Sequence, residues 1–133
     1  MTIQSSTTEI TASMMDVVHF LSDPRNLNFL LPQDKITDFQ ADETLCSFKA
    51  QGGIFIPLQF EFQDATTIRY KSGVGSPFPF TLTVQLSEQE ENCTGYIVFT
   101  AELNGFMKML VEKPLKGLFE QMSAQMKAHF QRN

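Results

Sequence analysis

Between Phe78 and Leu86 every second residue is apolar: Phe78, Phe80, Leu82, Val84 and Leu86. Successive strand side chains point to opposite faces, so this spacing predicts a strand buried on one face and wet on the other. The same period recurs on both sides. Cys46, Phe48 and Ala50 alternate within Thr44–Ala50, and Ile54, Ile56, Leu58, Phe60 and Phe62 alternate after the Gly52-Gly53 turn, with a bend expected at Pro57. Ile68 and Tyr70 share one face of Thr67–Ser72, opposite Arg69 and Lys71. Ile97, Phe99, Ala101 and Leu103 share one face of Tyr96–Leu103. Gly73–Pro77 and the charged stretch Glu88–Asn92 read as loops between strands. Consecutive strands this closely spaced form an antiparallel meander.

A sheet with one apolar face needs a cover. Asn104 can cap a helix running from Gly105 onward, on which Met107, Leu110, Val111, Leu115, Leu118, Phe119, Met122, Met126 and Phe130 fall on one broad stripe. Pro114 interrupts it, so the segment is expected to kink near Met109–Leu110 or to divide into two helices at Pro114. At the other end, Thr2–Thr7 reads as an edge strand, and Thr11 or Ser13 can cap a short helix carrying Met14, Val17, Val18, Phe20 and Leu21. Asp23-Pro24 ends that helix, and Pro24 opens a second one, Arg25–Leu31, closed by Pro32. The 133 residues fit a single α+β domain, 1–133, large enough to bury a core without disulfides or metal.

Net charge is −5 with no basic face, which argues against nucleic acid and anionic membrane surfaces as partners. No apolar run reaches the roughly 20 residues of a membrane span. Met1–Glu9 lacks the regions of a signal peptide, so the expected location is cytoplasmic, with Cys46 and Cys93 as reduced thiols on strands. Nothing assigns an oligomeric state. Thirteen Phe and seven Met beside two Tyr and no Trp give an interior with few polar handles, which suits an ordinary core and a ligand cavity alike.

Chemistry is sparse. His19 is expected to face outward from the first helix, and His129 lies four residues from the end. With Cys46 and Cys93 they lack zinc-site spacing, and no phosphate loop, dinucleotide fingerprint or nucleophile turn is present, so neither metal nor cofactor is expected. Asp38 and Glu102 lie on strands, where a buried carboxylate could serve as a general acid, although alternation puts Glu102 on the outer face. No catalytic residue is assigned.

Three stretches carry a resemblance: Val17-Val18-His19-Phe20-Leu21-Ser22-Asp23-Pro24, Leu31-Pro32, and Phe106–Met126 with Val111-Glu112-Lys113-Pro114-Leu115 inside it. Through them, and through the order of elements, the chain resembles the START-like superfamily with the birch-pollen-allergen fold, in particular its polyketide cyclase/dehydrase and lipid-transport group. It departs from many members in carrying Val18 where they have Trp. The resemblance implies a helix-grip fold, in which a curved sheet of about seven strands grips the last helix, two short helices follow the first strand, and an apolar cavity often remains between sheet and helix.

On that basis the inward residues Phe48, Phe60, Ile68, Phe80, Phe99, Leu118 and Met122 are expected to wall a ligand site, with the Tyr70 hydroxyl as its polar contact. The expected function is binding or carrying a lipid-like or polyketide-like molecule. Two alternatives stay open: a cyclase or dehydratase acting on such a ligand, and a protein-interaction module like the chaperone activators of the superfamily.

Overall fold

The computed structural model describes residues 1–131. Among them, β1 (Thr2–Gln4) and β2 (Thr8–Ile10) precede α1 (Met14–Leu21) and a 3-10 helix (Pro24–Phe29). Six strands follow: β3 (Thr37–Ala41), β4 (Leu45–Ala50), β5 (Ile54–Gln63), β6 (Thr67–Ser72), β7 (Phe80–Gln89) and β8 (Asn92–Ala101). The chain closes on α2 (Gly105–Phe130). The eight strands form one curved antiparallel sheet in the order β1-β8-β7-β6-β5-β4-β3, with β2 also beside β8. This is the α+β helix-grip arrangement, with the edge strand divided in two.

That division has a local cause. Buried Ser5 sits between β1 and β2, donating its N–H to the Ile97 carbonyl at 2.8 Å while its hydroxyl accepts the Ile97 N–H at 2.9 Å. A side chain thus takes a ladder position, and the edge bulges there, with residues 5–7 standing against only 96 and 97 of β8. Helix α2 holds the bulge: both oxygens of Glu120 accept from Ser6, one from its N–H and one from its hydroxyl, each at 2.7 Å, and the Ser123 hydroxyl donates to the Ser6 carbonyl at 3.0 Å.

The helix ends follow the capping residues. Ser13 accepts the Asp16 N–H, Asp23 accepts the Arg25 N–H, and Asn104 accepts the Met107 N–H at 2.8 Å. Pro24 opens the 3-10 helix, where its missing N–H costs nothing. Helix α2 runs unbroken through Pro114, so it does not divide there. Val111 and Leu115, both buried, anchor the turns on either side of the proline.

In two places the sheet departs from simple alternation. β7 starts at Phe80, not Phe78, because Pro79 has no N–H for the ladder, and the Ser72 hydroxyl accepts the Phe80 N–H instead. In β5 the pairing with β6 shifts between Phe60 and Phe62, so Phe60 opposes Tyr70 but Phe62 opposes Arg69. The extra residue turns Phe62 to the outer face, where the Arg69 guanidinium lies 4.9 Å from its ring centre. The expected inward stripe of β5 therefore stops at Phe60. The β7–β8 turn is tighter than expected: only Glu90 and Glu91 lie outside the strands. Gly95 on β8 meets a tight approach, since a Cβ there would lie 2.7 Å from Leu86 Cδ2.

Candidate ligand-binding cleft

The eight residues expected to wall a site lie between the sheet and α2. Phe48, Ile68, Tyr70, Phe80, Phe99, Leu118 and Met122 are buried in one apolar cluster, and Phe60 packs against it half-buried. That cluster also takes in Val17 and Leu21 of α1 and Leu27 of the 3-10 helix. Phe78, Phe80, Phe99 and Phe119 form a file of rings with successive centres 6.1, 5.0 and 4.8 Å apart, and Phe60 meets Tyr70 edge-on at 5.6 Å. The Tyr70 hydroxyl donates to the Leu21 carbonyl at 2.6 Å, tying β6 to the end of α1. Burial pushes its phenol well above the ordinary tyrosine range.

An open cleft of about 610 Å³ lies beyond one end of this cluster, past Phe78. One lip is the β4–β5 hairpin, residues 51–55, with its Gly52-Gly53 turn. A second is the loop entering β7, contributing Gly75, Pro77 and Phe78. The third is the start of α2, contributing Met107, Leu110, Val111 and Pro114. Gly75 has φ +89°, and a Cβ there would come within 3.3 Å of the Phe55 ring, so this position suits glycine on both counts. None of the eight expected residues lines the cleft. Phe78, at its floor, joins it to the file of rings.

The rim is apolar and open. Leu110, expected among the sheet-facing residues of α2, is 56% exposed, and Phe106 and Met109 beside it are 69% and 81% exposed. Val74, next to Gly75 in the β6–β7 loop, is 97% exposed. Of these exposed apolar residues Leu110 lines the cleft, and the others are its neighbours, or those of Gly75, in sequence. Glycine spacing and the stripe at Met107–Pro114 were the available signals, but both read equally well as turn and core.

The candidate acids lie elsewhere. Asp38 is exposed on β3 and pairs with Lys49 at 3.5 Å, while exposed Glu102 follows β8. His19 is exposed on α1, and His129 lies over Phe20 and Phe29 at the far end of α2, with ring centres 4.4 and 5.6 Å apart. Cys46 is buried on β4, and burial pushes its thiol up to about 12; buried Cys93 on β8 is also raised by burial. No group of three or more His, Cys, Asp or Glu among the described residues could hold a metal ion. No helix among them is long and apolar enough to cross a membrane.

No family model and no curated protein sequence matches the chain. Solved structures do. TTHA0849 from Thermus thermophilus superposes with a TM-score of 0.76 at 17% identity, covering 98% of this chain and 97% of that one. CV1439 from Chromobacterium violaceum gives 0.72 at 17% identity over 99% of each chain. The KanY protein gives 0.76 at 13% identity, covering 98% of this chain and 97% of its own. At such identities the likeness is one of overall fold, across essentially the whole length of each chain.

Proposed function

We propose that this protein binds and carries an apolar small molecule in the cleft at the start of α2. The observation that carries the reading is the cleft itself: about 610 Å³ with an apolar lining and an apolar rim left in water. Polar contacts are few, from Gln51 and the backbone of the glycine turns, so the ligand is mostly hydrocarbon or aromatic with one or two polar anchors. No lining residue is titratable, which favours binding over general acid–base chemistry. The START-like resemblance of the α1 and α2 segments supports the same reading, since carriers of that superfamily hold apolar ligands between the sheet and the last helix. Relative to the sequence-based expectation, the proposed site moves from the middle of the sheet–helix interface to its open end.

The test is a thermal-shift titration with fatty acids, sterols, flavonoids and polyketide-like aromatics. A binder at 100 times its Kd adds about 2.7 kcal/mol of stability, several degrees for a domain this size. Leu110→Glu puts a charge into the cleft from an exposed position and should abolish the shift, while Lys71→Glu on β6 should retain it. The exposed apolar side chains of Phe106, Met109 and Val74 support a second reading, a protein-interaction module. That reading takes first place if no member of the panel shifts the melting temperature.

A further inference from the structure

The apolar cleft does not end at Pro114. A second groove of about 520 Å³ adjoins it, and Gln51 and Pro114 line both. Its chemistry differs: Lys35, Lys113 and Lys116 line it together with Gly117 and Glu120. Helical spacing produces the change. Positions 107, 110, 111 and 114 present one face of α2 to the cleft, and 113, 116, 117 and 120 present the adjoining face about a turn further on. Lys35 comes from a different element, the loop between the 3-10 helix and β3.

Three of the ten Lys and Arg thus meet at one groove in a chain of net charge −5. Arg25, Lys49 and Arg69 are each paired with a carboxylate, whereas these three lysines form no such pair among the described residues. The acid in the groove, Glu120, accepts from Ser6 with both oxygens and keeps its charge, which Lys116 one turn away helps to hold, so three lysines and one carboxylate leave the lining with a net positive charge. The neighbouring acids in sequence, Asp34 and Glu112, are not part of the lining.

We infer that the ligand is an anionic amphiphile, with its hydrocarbon in the apolar cleft and a carboxylate or phosphate head among Lys35, Lys113 and Lys116. This inference rests on the carrier reading of the cleft and adds the ligand's charge and orientation. An ammonium offers three N–H donors to a head group, and here three ammonium groups from two elements line one groove. Because the groove is wet, the charges set selectivity and orientation more than raw affinity.

Calorimetric titration with four probes of equal chain length tests it: decanoate, decyl phosphate, decanol and decyltrimethylammonium, each kept below its micelle concentration. At low salt, decanoate and decyl phosphate should bind about tenfold more tightly than decanol, and the cationic probe more weakly. The triple variant Lys35→Gln, Lys113→Gln, Lys116→Gln should bring decanoate to the level of decanol and leave decanol unchanged. Raising salt to about 0.5 M should do the same to the unaltered protein, a control that does not depend on how the variant folds. If decanol and decanoate bind equally, or the preference survives both treatments, the head-group assignment is overturned and the apolar cleft stands. If none of the four binds, the anionic-amphiphile assignment is overturned, and the carrier reading is decided by the thermal-shift panel of sterols, flavonoids and aromatics. Capture by phosphatidylglycerol vesicles without binding of monomeric decanoate would place the anion in a bilayer surface and overturn the free-ligand assignment.

Discussion

The two ends of α2 have similar sequences and opposite fates. From Leu115 to Phe130 the helix buries Leu115, Leu118, Phe119, Met122, Met126 and Phe130. From Phe106 to Leu110 it carries Phe106, Met107, Met109 and Leu110, of which three are exposed and Met107 is half-buried. The difference lies in what stands opposite. The far half has Phe99 beneath Phe119 and the β1–β2 bulge clamped to Glu120 and Ser123. The near half faces two glycine turns and an open cleft. An apolar stripe is therefore a core only where a second surface meets it; elsewhere it is surface available for binding.

The sharpest way to break this contrast is to truncate both halves. Leu118→Ala should cost about 2–5 kcal/mol and Phe119→Ala about 3–5 kcal/mol, because each leaves a cavity in packed surroundings. Met109→Ala, in the open half, should stay within about 0.5 kcal/mol of the parent. Urea melts measure all three, and comparable losses at Met109 and Leu118 would erase the distinction. A smaller effect is expected where the packed half meets α1. Tyr70→Phe keeps the ring but removes the donor to the Leu21 carbonyl, at a cost of about 1–3 kcal/mol for an unsatisfied buried acceptor. It should leave ligand affinity unchanged, since Tyr70 does not line the cleft. An affinity loss in Tyr70→Phe would return the site to the middle of the interface.

The smallest effect concerns the clamp. The Ser6 backbone N–H, and next the Ser6 hydroxyl, hold the Glu120 carboxyl below its ordinary value of 4.5. A depressed folded-state pKa stabilises above the unfolded value, and that contribution is lost as pH falls through the folded value. Glu120→Gln should therefore melt slightly lower than the parent at pH 7, by an amount reduced by solvent screening of this exposed carboxylate. The gap should close as pH drops below about 4.5. A gap that persists in acid would mean that the clamp does not act through the charge.

What could be read from the chain by itself was local. Period two in β7, the caps at Ser13 and Asn104 and the breaks at Pro24 and Gly52-Gly53 are properties of neighbouring residues, and the structure has them. Three other features depend on elements that meet only in the folded chain. Phe62 changes faces because β5 shifts register against β6. Tyr70 points inward as alternation requires, but its hydroxyl donates to the end of α1, 49 residues earlier. Leu110 and Leu118 have the same side chain on the same stripe, and only the extent of the opposing wall makes one cleft and the other core. Periodicity determines which way a side chain points; what it points at is decided by how far the sheet and the helix overlap, which is a property of the tertiary structure alone.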